Sequence, residues 1–274
     1  MKSILIVAAI VTGFTALPAF AASYSYACLS NFQVTLIDLD SNDGITPFIE
    51  FRPIDSVTTG RYTRSIYGYA HDSANGSIYT GFVDQIDDLN SLSNTVTLTT
   101  NTASASINGE NYVNRVLQTN SNSLGAKKGE DNFGYDSGAI DNFHFTLSGN
   151  TQLKITADAF NYVELTGEKK AHEYAVSSAY LYINVFRFQD THQVILDSDD
   201  YDSKKDFDMS MSTLITVMFL NENPNNVNGW AYSAISSSGR SNDVIKPSAV
   251  PIPAALPLLA SAFGVFGIAR RRIQ

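Results

Sequence analysis

Oxygen-bearing side chains at alternate positions are the strongest chemical signal in the chain. Asp38, Asp40 and Asn42 alternate, Asp43 and Gly44 follow, and Glu50 falls six residues after that glycine. Such spacing lets carboxylate and amide oxygens converge on a hard cation, and calcium is the cation it suits. In an EF-hand the glycine stands one place earlier and helices flank the loop, whereas no flanking helix is evident here. The segment therefore reads either as a calcium site on Asp38, Asp40, Asn42 and Asp43 or as a strand ending in an Asx-rich turn. A second acidic run, Asp197-Ser-Asp-Asp-Tyr-Asp202, reads as a calcium-lining loop or as a solvated one.

Other catalytic constellations fail on spacing. His71, His144, His172 and His192 are scattered, and His172-Glu173 lacks the second histidine that a helical zinc site needs. There is no Gly-x-Ser-x-Gly elbow for a hydrolase serine and no phosphate-cradling glycine loop. The 27 acidic residues supply many possible carboxylate pairs for glycoside hydrolysis, whose partners lie far apart in sequence. No catalytic residue is singled out. Aromatic rings are the other resource. Tyr24, Tyr26, Tyr62, Tyr67, Tyr69, Tyr79, Tyr180, Tyr182 and Tyr232 could include a sugar-stacking platform, or serve as strand tyrosines with wet hydroxyls.

The elements that must position these residues are strands. Ser, Thr, Asn, Asp and Tyr are abundant, and they favour strands and turns over helices. Period-two alternation marks residues 32–39, 77–83 and 95–99. Residues 140–147 and 152–157 flank Ser148-Gly149-Asn150, a hairpin signal. Residues 180–188 and 213–220 read as inner strands, and residues 230–235 as the strand that closes the sheet. Residues 120–136 read as a long exposed loop, a possible break between subdomains, and residues 236–249 as a Ser-rich spacer. Short strands between Gly, Asn and Asp turns predict one all-β domain over residues 22–235, an antiparallel β-sandwich, jelly-roll-like.

Both ends of the chain carry addresses. Lys2, an apolar stretch over residues 4–14 and Leu17-Pro-Ala-Phe-Ala21 form a signal peptide cleaved after Ala21. Cys28 lies too far beyond that site, and lacks the upstream aliphatic residue, for a lipoprotein signal. As the single cysteine it makes no intramolecular disulfide; it reads as a small buried hydrophobe or an intermolecular bridge. Removing Lys2 and the three terminal arginines from 18 basic residues leaves 14 against 27 acidic ones, a net charge of −13 on the body. That balance excludes a phosphate-binding face for nucleic acid.

At the C-terminus, Val250-Pro251-Ile252-Pro253-Ala254 leads into a charge-free stretch that ends in Arg270, Arg271 and Arg272. The 20 residues from 250 to 269 would reach about 30 Å as a helix, one bilayer core, although the prolines shorten the secure helix to residues 256–269. The arginines would stay cytoplasmic. Motif, apolar helix and basic end, in that order, resemble the PEP-CTERM sorting domain in its VPLPA-CTERM variant, with Ile252 where leucine is usual. The resemblance covers only residues 250–274. It implies a Gram-negative host and recognition by an exosortase, an integral membrane protein of cysteine-transpeptidase type. It also implies passage through the inner membrane to the cell surface or the extracellular matrix of a biofilm.

Together these readings predict an exported, non-enzymatic surface or matrix protein, structural or adhesive, with calcium or extracellular polysaccharide as possible contacts. The alternatives are a secreted carbohydrate-active enzyme and a polysaccharide-binding module on the same sandwich.

Overall fold

Alternation of small or apolar residues with polar ones builds a sandwich of two antiparallel sheets. A computed structural model of the chain describes residues 23–54, 63–72, 78–88, 90–98, 101–123, 133–165, 174–198 and 207–241. These lie within one compact unit, Ala21–Ile245. The first sheet contains β1 (Ser23–Asp38), β5 (Leu92–Thr97), β6 (Asn101–Asn108), β7 (Val116–Ser123), β9 (Thr151–Leu165) and β12 (Phe207–Asn221), in the order β12-β9-β1-β7-β6-β5. The second contains β3 (Arg64–Asp72), β4 (Ile78–Ile86), β8 (Phe133–Leu147), β10 (Tyr174–Val185), β11 (Phe188–Asp197) and β13 (Val227–Ser241), in the order β11-β10-β13-β8-β3-β4. Its seventh strand, β2 (Ile49–Pro53), pairs with β8 beyond the start of β3. The sandwich expected from the sequence is present; the jelly-roll expectation is met only as two packed antiparallel sheets.

The inner faces meet in a core that changes character along its length. Towards the loops at residues 148–150 and 109–115 it is apolar, with Leu29, Phe32, Ile107, Leu117, Phe143, Phe145, Leu153, Ile155, Leu181 and Ile183 buried. Towards the other end small hydroxyls stand between the sheets beside a smaller apolar cluster of Val163, Leu165, Ala175 and Leu196. Thr119 bonds Ser237 at 2.7 Å, Ser121 bonds Ser137 at 2.6 Å and Ser23 bonds Tyr135 at 2.9 Å, each between the sheets. Each bond satisfies two groups that would otherwise lose water uncompensated. A bulge in β1, where Asn31 takes φ 51° and the register shifts, moves the inward set from Ala27 and Leu29 to Phe32, Val34 and Leu36.

A buried ionic cluster ties the loop end together. Asp141, fully buried on β8, lies 3.0 Å from the Arg115 guanidinium and 3.5 Å from that of Arg64. Arg115 also donates to the Ser233 hydroxyl at 2.7 Å and packs 3.6 Å from the Tyr112 ring centre and 3.9 Å from that of Phe32. Arg64 donates to the carbonyls of Asn90 and Gly109 at 2.9 and 2.8 Å, so two loops are tied to one strand.

Several expectations are corrected. Residues 148–150 do not close a hairpin: β8 and β9 lie in opposite sheets, and Gly149 is required because a Cβ there would collide with the Pro224 carbonyl. The strand expected over residues 180–188 breaks at Phe186 and Arg187 into the hairpin β10–β11. The strand over 213–220 is the edge β12, and the supposed closing strand is the interior β13. Ser236–Ser241 belongs to β13 rather than to a spacer, and Asn120–Ser123 and Phe133–Asp136 belong to β7 and β8 rather than to a loop. Serine-rich strands look like linkers because their core-facing hydroxyls are bonded across the sandwich.

Candidate functional site

The outward face of the second sheet gathers aromatic rings that are far apart in sequence. In β10, alternation turns Tyr180, Tyr182 and Asn184 outward; in β13 it turns Trp230 and Tyr232 outward. Register sets Tyr182 opposite Tyr232, and Asn184 opposite Trp230. The rings then form one cluster. Tyr182 lies 4.9 Å from Trp230, Tyr180 lies 5.5 Å from Tyr232 and 6.2 Å from Tyr182, and Trp230 lies 6.3 Å from Tyr232. Further across the sheet Tyr67 and Tyr69 on β3 stand 5.9 Å apart. Tyr67 lies over Gly138 of β8, where a Cβ would strike its ring. That is the close approach that requires glycine there.

Polar groups border these rings. Asn184 donates to the Tyr182 hydroxyl at 2.8 Å, and Ser178 and Ser236 share a hydrogen bond of 2.8 Å. At the loop end His144 is exposed between Trp230 and Arg52, and Arg52 donates to Thr146 at 3.0 Å while pairing with Glu50. Burial pushes Tyr67 up to about 12, helped by the charge of Asp136 and by Tyr232. Burial also raises the Asp136 carboxyl above its ordinary value. Tyr182 is buried at the centre of the cluster. The half-buried rings of Tyr180, Trp230 and Tyr232 around it, bordered by hydroxyls and amides, can stack on the apolar face of a sugar and bond its rim. Trp230 joins the tyrosines of this face because it alternates with Tyr232 along β13.

The remaining candidates are placed elsewhere. Tyr24 and Tyr26 lie on the outward face of the first sheet, buried against Tyr162 and Phe160 at 5.6 and 5.8 Å. Cys28 joins them, and burial pushes its thiol up. Tyr62 lies outside the described residues, as does the Tyr79 side chain. In the acidic segment, Asp38 accepts the Asp40 N–H at 3.0 Å, Asp40 that of Asn42 at 3.2 Å and Asp43 that of Ile45 at 2.6 Å. Asp43 also accepts from the Asn150 amide at 2.6 Å, and Glu50 is paired with Arg52. These bonds make an Asx-rich turn that docks one loop on another. Among the described residues no group of three or more His, Cys, Asp or Glu is arranged to hold a metal. Of the second acidic run only Asp197 and Ser198 are described. The sorting residues Val250, Pro251, Ile252, Pro253, Ala254, Arg270, Arg271 and Arg272 lie outside the described residues, as does the leader. A separate depression of about 390 Å³ opens at the loop end, lined by Phe51, Pro53, Asn111, Tyr112, Val113, Asn114 and Phe143.

Fold and face define an antiparallel β-sandwich with an aromatic outer surface. No protein-family model matches the chain, and no curated protein does. A solved chain described under the promiscuous specificity of carbohydrate-binding modules from the β-sandwich superfamily is 9% identical, with 73% of this chain and 99% of that one covered. Its TM-score is 0.12, a likeness that bears on neither topology nor ligand here.

Proposed function

We propose that this is an exported, non-enzymatic surface or matrix protein that adheres to uncharged polysaccharide through the outward face of its second sheet. The cluster of Tyr180, Tyr182, Trp230 and Tyr232 is the observation that carries the reading. Pyranose rings present an apolar C–H face and a rim of hydroxyls, and the cluster offers rings bordered by hydroxyls and amides. A body of net charge −13 repels polyanionic glycans, so the ligand is a neutral polymer. Delivery falls to the terminal segments: the leader exports the chain, and an exosortase-type transpeptidase acts at the motif from Val250 to Ala254. Ser23 and Ser241 support that arrangement, because both lie at the sandwich end away from residues 148–150.

The test is electrophoresis of the full chain through gels containing dextran, mannan, galactan, hydroxyethylcellulose or alginate. Retardation by a neutral polymer, lost in Trp230→Ala, is expected. Unretarded migration in every neutral gel, or retardation by alginate alone, would contradict the proposal.

A further inference from the structure

Phe186 breaks two local rules at once. It occupies the first central position of the two-residue β10–β11 hairpin with φ 52°, a conformation that glycine or asparagine normally supplies. Its side chain is 87% exposed, so burial returns nothing for the strain. An exposed aromatic held in a strained conformation is the kind of outlier that points to a contact. Its position indicates which contact. Tyr180, Tyr182 and Asn184 alternate along the outward side of β10, and Phe186 stands at the tip just beyond the strand, two residues after Asn184. Five strand steps at about 3.4 Å each take β10 about 17 Å from Tyr180 to Val185, with Phe186 directly beyond, long enough for several linked pyranoses. Arg187 lies 5.2 Å from the ring centre on one side, which leaves the other side open and places guanidinium donors beside it.

We propose that Phe186 is the terminal subsite of the aromatic face, and that it aligns a neutral polysaccharide along β10 towards the loop end. The inference rests on the glycan-binding reading above. It adds the direction in which the polymer lies, and a residue whose contribution requires a chain long enough to reach it. A lipid surface or a second copy of the chain are the other occupants such a tip could meet.

The experiment uses the full chain and the neutral polysaccharide that retards it most, together with the disaccharide and hexasaccharide of that polymer. Phe186→Gly is expected to melt at a higher temperature than the parent, because glycine relieves the turn. It should bind polymer and hexasaccharide about tenfold more weakly, as one lost stacking contact predicts, and bind the disaccharide unchanged. Phe186→Trp should restore the affinity. Unchanged hexasaccharide affinity in Phe186→Gly, with binding still lost in Trp230→Ala, would overturn the subsite and leave the face intact. Loss of neither interaction would remove the face as well. A variant that keeps its glycan affinity but loses binding to phosphatidylglycerol vesicles, or loses self-association, would assign the tip to a membrane or a second copy instead.

Discussion

Asp141 is the residue on which most of the loop end depends. One carboxylate, withdrawn from water, faces two guanidiniums at 3.0 and 3.5 Å, and Arg115 is further held between aromatic rings. Removing the carboxylate takes away the counter-charge that two buried guanidiniums share. Asp141→Ala is therefore expected to cost about 3–5 kcal/mol, read by urea unfolding; a cost below about 1 kcal/mol would mean that water reaches the cluster. The cluster was illegible in the sequence, because Arg64, Arg115 and Asp141 are far apart and charged residues normally face solvent. Tyrosines set a second residue-scale expectation. Burial holds Tyr67 protonated up to about 12 and also pushes Tyr24 and Tyr135 up. Unfolded tyrosines lose their protons near 10, so the folded state binds more protons above that pH. Stability is then complete below about pH 10 and falls as pH rises towards 12. Alkaline unfolding followed by circular dichroism checks this, and stability that rose across that range would reverse the sign.

Strand edges are the next scale at which the fold is protected. β12 ends the first sheet and exposes Leu214, Met218 and Leu220 on its outward side. Its free-edge N–H groups are met by β11 of the other sheet: Thr216 donates to His192 Nδ1 at 3.3 Å and Met218 to Asp190 at 2.7 Å. At the opposite seam Asn94 on β5 donates to Asp84 on β4 at 2.8 Å. Side chains thus occupy groups that another strand would otherwise pair with. The double variant Asp190→Ala, His192→Ala is expected to self-associate through β12, seen as dimers and larger species by light scattering. A strictly monomeric variant would show that these caps do not guard the edge. Much of this layer was legible: alternation marked parts of β1, β4 and β5, the residues flanking a turn signal marked parts of β8 and β9, and Asx chemistry marked the turn after β1. The exceptions have physical causes. Val185-Phe-Arg-Phe188 contains no Gly, Asn or Asp, so the β10–β11 turn is hidden in an apolar stretch. Ser148-Gly-Asn150 has hairpin chemistry, yet local chemistry does not encode which sheet receives the next strand. Buried serines in β7 and β13 resemble linker serines until their partners across the sandwich are known.

At the scale of the whole molecule the two sheets differ in what their outward faces carry. The first buries Tyr24, Tyr26 and Cys28 on its outward side, whereas the second buries Tyr182 there but leaves Tyr180, Trp230 and Tyr232 around it half-buried and bordered by polar groups. Both described chain ends lie at one end of the sandwich, and the β10–β11 tip lies at the other. The sequence named most of the tyrosines in that face but could not group them, because grouping depends on the β10–β13 register.

Trp230 is the single tryptophan of the chain, so its emission reports on this face alone. Titrating the full chain with a neutral polysaccharide while recording tryptophan fluorescence is the most direct measurement. The account predicts a saturable change in intensity and wavelength with the neutral polymer and none with alginate. A neutral polysaccharide that is demonstrably bound while Trp230 emission stays constant would contradict it, because the ligand would then sit on some other part of the molecule.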